Sequence, residues 1–454
     1  MSPLRKPSPI RSWWSCAATT RSDPPRRLPR RTLLLGIPVA AAVVGGVALL
    51  PWRPPRPALL SGGVWVRGDG VAVVLPPEQT GRQTSLAPEI RRNLNAATLP
   101  AGRWEELART ALIDLLSLTG PVLADPGAPD SGTATRFPSG GVVAGPVSIW
   151  RYVWPRDASF AAAAYAAVGL EAQALDVLAQ LATLQRGDGG FEARYTATGV
   201  VPDDRPAQSD GAGWFLWAAG RLLADGADAG ELGKRLGVAL ARACVFLLAL
   251  TDTPSHLPAA SPDYWEVEER TVTLGTAAPT LLGLEAAVAL AAAGLNVGAD
   301  AELLEVRVTT VRAAMERGFA PGWGRHVRGN DVDAAIALVA PPFTRALDGV
   351  AAVRDGAVAR MSRPAGGVAP GESWRDDGIS WTPETALLAW SAAGLGRDEE
   401  ARTLLDWLEA HRTDAGALPE KVRADGLPAG PAPLAWTCAL VLLTAVELHR
   451  DRHQ

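Results

Sequence analysis

From about residue 100 onward the chain repeats one pattern: Ala/Leu-rich segments of helix length, separated by loops rich in Gly, Pro, Trp and Asp. These segments fall at 103–118, 158–168, 171–186, 210–224, 230–250, 278–293, 300–317, 331–339, 343–353, 382–393, 397–411 and 432–449, about twelve helices in all. Strand patterns are almost absent, so the expected class is all-α. Residues 158–170 are apolar nearly all round, and a helix without a polar face has to be buried between other helices. Alternating buried and half-exposed helices fit a closed (α/α)6 toroid, six inner helices inside six outer ones, with the loops at one end gathered around a single pocket. An open helical solenoid obeys the same pattern.

The rest of the composition narrows the partners. A net charge of -4 over 454 residues gives no support to a nucleic-acid partner. The three cysteines, Cys16, Cys244 and Cys438, lie far apart, and the five histidines form no H-E-x-x-H or similar arrangement. Neither a metal nor another cofactor is expected. Sixteen Trp against four Tyr and seven Phe is an unusual balance, and many of the Trp sit beside Gly, Pro, Arg or Asp, as in surfaces that line a cleft.

Ahead of the helical region the sequence divides into three parts. Residues 1–32 are rich in Pro, Ser and Arg and read as a basic, disordered cytoplasmic leader. Residues 33–50 are apolar, Gly or Pro throughout, at the lower limit for spanning a bilayer, and read as a transmembrane anchor. Arg21, Arg26, Arg27, Arg30 and Arg31 precede the run, which keeps the N-terminus inside and places the helical domain, residues 100–454, outside a single-pass membrane anchor. A cleaved signal peptide and a secreted protein are the alternative. Residues 51–99 hold a Pro/Arg linker and a short hairpin around Gly68, Asp69 and Gly70, too small to be a domain.

The densest chemistry lies in residues 150–157, W-R-Y-V-W-P-R-D, just before an Ala-rich helix. Aromatic planes beside an Arg/Asp pair suit a ligand with apolar faces and hydroxyl edges: C–H faces stack on Trp, Asp accepts and Arg donates to neighbouring hydroxyls. A sugar has that shape. The alternative is a plain helix start with Asp157 as its N-cap. Further along, Glu266 follows Tyr264 and Trp265, whose rings would strip water from its carboxylate and favour the proton-carrying form a general acid needs. Glu420 follows Pro419 and precedes Lys421, which could hold it ionised as a general base. Both could instead be surface carboxylates. Two more polar loops, 203–211 with Asp210 and 361–381 with Arg363, Trp374 and Trp381, are rich in hydroxyl-binding groups, although Asp210 also suits a helix cap.

Taken in order, these loops resemble the glucoamylase family, glycoside hydrolase family 15. The motifs are Tyr152-Val-Trp-Pro-Arg-Asp-Ala158, Arg205-Pro-Ala-Gln-Ser-Asp-Gly211 leading to Trp214 and Trp217, Asp263-Tyr-Trp-Glu-Val267, Asp331-Val-Asp-Ala-Ala335 with Pro341-Pro-Phe343, and Pro419-Glu420. The resemblance implies an (α/α)6 toroid that releases glucose from the non-reducing ends of an oligosaccharide or α-glucan with inversion. It implies Glu266 as general acid and Glu420 as general base, about 6.5–9.5 Å apart to leave room for water. It also implies a sugar site lined by Trp154, Arg156, Asp157, Asp210, Trp265 and Arg363, with Arg360 the alternative to Arg363. The chain departs from the pattern by one extra residue between Pro206 and Gln208, and by Val267, which displaces the following acid to Glu268. Two other readings share the toroid: a membrane-anchored glycan-binding protein without turnover, and a terpene-cyclase-like protein suggested by residues 185–191 and by Asp331 and Asp333.

Overall fold

A computed structural model describes residues 57–124 and 134–450. The leader and the apolar run at 33–50 lie outside the described residues. Thirteen α-helices are described: α1 (Pro88–Ala96), α2 (Glu105–Ser117), α3 (Pro155–Ala167), α4 (Glu171–Leu184), α5 (Gly211–Ala224), α6 (Ala229–Leu250), α7 (Leu274–Ala292), α8 (Ala301–Phe319), α9 (Val350–Asp355), α10 (Ala357–Met361), α11 (Thr382–Gly394), α12 (Asp398–Ala410) and α13 (Ala435–Arg450). Two 3-10 helices, Ser148–Trp150 and Ala334–Val339, complete the helical set among the described residues.

The packing closes a ring. α3 packs on α5, α5 on α7, α7 on the 3-10 helix Ala334–Val339, that helix on α11, α11 on α13, and α13 back on α3. Each inner member has an outer partner: α4 on α3, α6 on α5, α8 on α7, α9 against the 3-10 helix, α12 on α11 and α2 on α13. Six inner and six outer positions are therefore filled, and the open-solenoid alternative falls away because the last inner helix contacts the first. The sequence sets these layers apart. In α3 nearly every residue is buried, whereas α12 buries only Ala401, Leu404, Leu405 and Leu408, one stripe of an amphipathic helix. α7 is long and apolar enough to cross a membrane, but most of it is buried inside the ring, where an all-apolar helix is equally at home.

α5 and α7 approach closely because glycine lines their contact. A Cβ on Gly213 would sit 2.2 Å from the carbonyl oxygen of Pro279, so the two helices could not cross at this distance with any other residue there.

Two expected segments come out differently, and one helix was not expected. The segment expected as a helix over 331–339 is only the 3-10 helix Ala334–Val339, stopped by Pro341 and Pro342, which lack the amide protons that a longer helix would use. The segment expected over 343–353 gives way to turns and then to α9 and α10, separated at Gly356, with Gly349 in the left-handed region at φ 80°. α1 went unrecognised because only Ile90 and Leu94, one turn apart, mark its buried face.

The hairpin is present as β1 (Gly63–Val66) and β2 (Val71–Leu75), paired antiparallel with Trp65 opposite Val73. It extends into a four-stranded sheet, with β3 (Val122–Ala124) parallel to β2 and β4 (Ala134–Arg136) antiparallel to β3. The segment ahead of β1 is bonded into the ring unit: Leu60 N–H donates to Gly430 O at 2.8 Å, and Ser61 Oγ to Ala432 O at 2.8 Å. A second sheet joins β5 (Ser380–Trp381), β6 (Lys421–Val422) and β7 (Pro428–Ala429), with Trp381 opposite Lys421. It ties the start of α11 to the loop that carries Glu420.

Candidate active site

Five inner-helix entries supply the site. Arg156 and Asp157 lie in the first turn of α3, Asp210 at the start of α5, Glu266 in the loop before α7, Glu384 in the first turn of α11, and Glu420 in the loop before α13. These N-terminal ends converge at one mouth of the ring, where helix dipoles favour negative groups.

One short loop holds both of the expected acid/base carboxylates. Trp150 Nε1 donates to Glu420 Oε1 at 3.1 Å, and Trp154 Nε1 donates to Glu266 Oε1 at 2.7 Å. Trp154 is the N-cap residue of α3, and Pro155 at the first helical position fixes where the helix begins. Asp157 therefore lies inside the helix rather than at its cap, against the plain-cap alternative. Asp210 occupies the cap position of α5, but its carboxylate makes no capping bond and accepts instead from Trp214 Nε1 at 3.0 Å.

Glu266 has φ +54°, a strained backbone for a side-chain-bearing residue, held by the bond from its N–H to Asp263 O at 2.8 Å. The aromatic neighbours expected to desolvate it serve other partners. Tyr264 hydroxyl bonds to Asp333, and the Trp265 ring lies 3.7 Å from the Arg325 guanidinium carbon and edge-on to Trp374. The second oxygen of Glu266 instead pairs with Arg205 and lies 3.4 Å from Arg194 Nη1; Arg194 in turn pairs with Asp203.

Glu420 is buried, with Lys421 Nζ 2.9 Å from Oε2. Gly430, at φ +76°, backs it so closely that a Cβ there would sit 2.7 Å from Oε2. The backbone on either side is fixed by Glu420 N–H to Pro431 O at 2.9 Å and Thr382 N–H to Glu420 O at 3.1 Å.

Around Arg156 lies a buried polar floor. Arg156 Nη2 reaches Asp157 Oδ2 at 3.3 Å, and its guanidinium stacks 4.7 Å from the Trp436 ring centroid, while Nε and Nη1 have no protein partner. Trp265 Nε1, Trp436 Nε1 and Glu384 Oε2 are likewise buried without a protein partner. Buried polar atoms without partners are rare, and several around one mouth mark it as a candidate site for a polar ligand. Burial pushes the Asp157 carboxyl up to about 6 despite Arg156, with the charge on Glu266 adding to the rise. Burial also raises Asp210 to about 6, against the pull of Arg156 and the Trp214 hydrogen bond. Burial works against the charge of Arg156, but Asp157, Asp210, Glu266 and Glu384 outweigh it and raise its pKa.

Arg363 is less directly placed. Its guanidinium faces the carbonyls of Met361, Ser362 and Trp374 at 3.4, 3.2 and 3.4 Å, whereas Arg360 sits outside, paired with Glu372 at 2.5 Å. Of the two, Arg363 is therefore the one beside the aromatic loop. Asp333, part of the terpene-cyclase reading, is committed to Arg325 at 3.0 Å and to Tyr264, and Asp331 is exposed. Among the described residues no group of three or more His, Cys, Asp or Glu is placed to hold a metal ion.

Three residues escaped the sequence reading: Glu384, Arg194 and Arg325. Glu384 carried a signal, as the sole charged residue in the otherwise apolar α11. Arg325 joins Asp263 at 2.8 Å, Glu269 at 2.7 Å and Asp333 at 3.0 Å, fastening the two ends of the Glu266 loop to the next inner position.

No protein-family model and no curated protein matches the sequence. Solved structures do match the fold. A glycosidase solved in complex with glucose superposes with a TM-score of 0.60 at 23% identity, over 80% of this chain and 99% of that chain. Glucoamylase from Saccharomycopsis fibuligera follows at 0.58 and 16%, over 78% of this chain and 97% of that one. A bacterial glucoamylase complexed with acarbose gives 0.51 and 17%, over 68% of this chain and 52% of that one.

Proposed function

We propose that this chain is a glycoside hydrolase of the glucoamylase type, releasing glucose from the non-reducing ends of α-glucosides with inversion. The observation that carries the proposal is the pair of indoles on one loop, Trp150 and Trp154, each holding one carboxylate at the mouth of the ring. The glycosidases and glucoamylases that share the fold support it, one of them solved with glucose and another with acarbose.

In this reading the terminal sugar sits over the Arg156 and Asp157 floor, which grips its hydroxyls. Trp154, Asp210, Trp265 and Arg363 complete the pocket. Glu266 gives its proton to the glycosidic oxygen as the bond to the anomeric carbon breaks. Glu420 takes a proton from the water that attacks that carbon from the opposite face. Trp154 orients the acid and Trp150 orients the base. The apolar run at 33–50 anchors the enzyme in the cell membrane, with the ring outside.

The test is sugar release from maltose, isomaltose, trehalose and soluble starch, with proton NMR of the first product. β-Glucose should appear first, and Glu266→Gln should abolish release while glucose binding stays measurable. Binding without release from any of the four sugars would refute the enzyme and leave a glycan-binding protein. α-Glucose as first product would refute inversion.

A further inference from the structure

The proposed acid/base pair leaves one buried carboxyl in the site without a task. Glu384 is 3% exposed, Oε2 has no protein partner, and the side chain stands in the first turn of α11, two residues after Thr382. Thr382 is bonded to the backbone of Glu420, through its amide at 3.1 Å and its hydroxyl at 3.2 Å, so Glu384 is held in fixed relation to the proposed base.

The charged groups facing Glu384 come from three elements: Arg156 from α3, Asp333 from the entry to the 3-10 helix Ala334–Val339, and Glu420 from the loop before β6. Two of the three are acidic, and the ion pair of Arg156 is made with Asp157. α13 presents Thr437 here, whose hydroxyl bonds Thr382 at 2.9 Å. The acids near the C-terminus of α12 face outward, Asp406 to Trp104 and Glu409 to Arg103. A charged Glu384 would thus lie in a low-dielectric site beside two other carboxylates, and the cation that faces it, Arg156, is already shared with Asp157.

We infer that Glu384 serves this site as an uncharged carboxylic acid, donating a hydrogen bond from its O–H to a hydroxyl oxygen of the bound sugar. The role rests on the sugar pocket proposed above. The floor otherwise holds carboxylate acceptors, the Arg156 guanidinium and the indole N–H groups of Trp265 and Trp436, and a neutral acid adds an O–H donor without adding charge. Burial pushes the Glu384 carboxyl up to about 8, with Glu420 and Asp333 adding to the rise and Arg156 opposing it. Loss of this proton then sets the alkaline limit of sugar binding.

The experiment uses the full chain, its Glu384→Gln and its Glu384→Met variants, with D-glucose as probe in calorimetric titrations at about pH 6 and about pH 9. Wild-type affinity should fall about tenfold between the two conditions, as expected when only the protonated form binds. Glu384→Gln, which keeps a neutral donor, should bind somewhat more weakly but lose this pH dependence. Glu384→Met should bind poorly at both. Parallel pH dependence in wild type and Glu384→Gln, or unimpaired binding by Glu384→Met, overturns the inference, and so does wild type that fails to bind glucose at either pH. Sugar release is measured separately, so a wild type that binds with the stated pH dependence and cleaves nothing sinks the hydrolase reading and leaves the role of Glu384 standing.

Discussion

Trp154 and Glu266 stand 112 residues apart in sequence and meet through a 2.7 Å hydrogen bond from the indole N–H to Oε1. That bond fixes one oxygen of the proposed acid, and Arg205 takes the other. Trp154→Phe removes the donor and keeps the aromatic volume. A hydrogen bond to a charged group contributes about 1.5–3 kcal/mol, so kcat should fall about 10- to 100-fold, with a smaller effect on KM. Steady-state kinetics on the best substrate of the panel checks this.

Gly430 presses on the other carboxylate. Gly430→Ala puts a methyl group 2.7 Å from Glu420 Oε2 at a backbone φ of +76°, so the base has to move. The left-handed conformation adds about 1–2 kcal/mol of strain. The variant should fold with a lowered melting temperature and lose at least about tenfold in kcat, an effect on turnover that a purely conformational strain would not produce.

Arg325 is a matter of stability first. It is buried among Asp263, Asp333 and Glu269, with Trp265 against its face. Arg325→Met leaves buried carboxylates without their cation, at a cost of about 3–5 kcal/mol, and frees the loop that carries Glu266. Denaturant unfolding should show the loss. Activity per folded molecule should fall as well, because the acid's backbone is no longer held.

The buried acids of the floor make stability depend on pH. Asp157 and Asp210 are raised to about 6 and Glu384 to about 8, so the folded protein binds protons that the unfolded chain has released. Their contribution is fully present below the ordinary carboxylate range and is lost as pH rises through these values. The wild type should therefore lose melting temperature from about pH 5 to about pH 8.5. Glu384→Gln should match it at the acid end and exceed it at the alkaline end. Thermal scans across that range check the crossover.

What the sequence made legible was local. The Trp154, Arg156 and Asp157 cluster, the Asp-Tyr-Trp-Glu loop and the Pro-Glu turn each occupy a few consecutive residues, and the structure brings Glu266, Glu420 and Arg156 to one mouth. The alternation of apolar and amphipathic helices likewise carried the ring, since period and composition decide which helix is buried. Pairings made across the fold were not legible. Glu384 stands out in sequence as the sole charged residue of α11, but an acid in a helix's first turn is ordinary, and its proximity to Glu420 and Asp333 comes only with the fold. Arg325 reads as a surface arginine until three carboxylates from separate positions surround it. The polar partners of Glu266 likewise come from across the fold. Its sequence neighbours Tyr264 and Trp265 pack elsewhere, and its contacts come from Trp154, Arg194 and Arg205.

The contact of α13 with α3 joins the last helix of the ring to the first inner one. Glu420 and Trp436, on either side of the floor's final wall, belong to that closing stretch. Domains emerge from the ribosome N-terminus first. A growing chain therefore holds Arg156, Asp157 and the Glu266 loop well before it holds the group that would activate water. In the proposed reading the base is thus the last of the acid/base pair to be made, and a chain that stops before Glu420 holds the acid and the floor without the group that activates water.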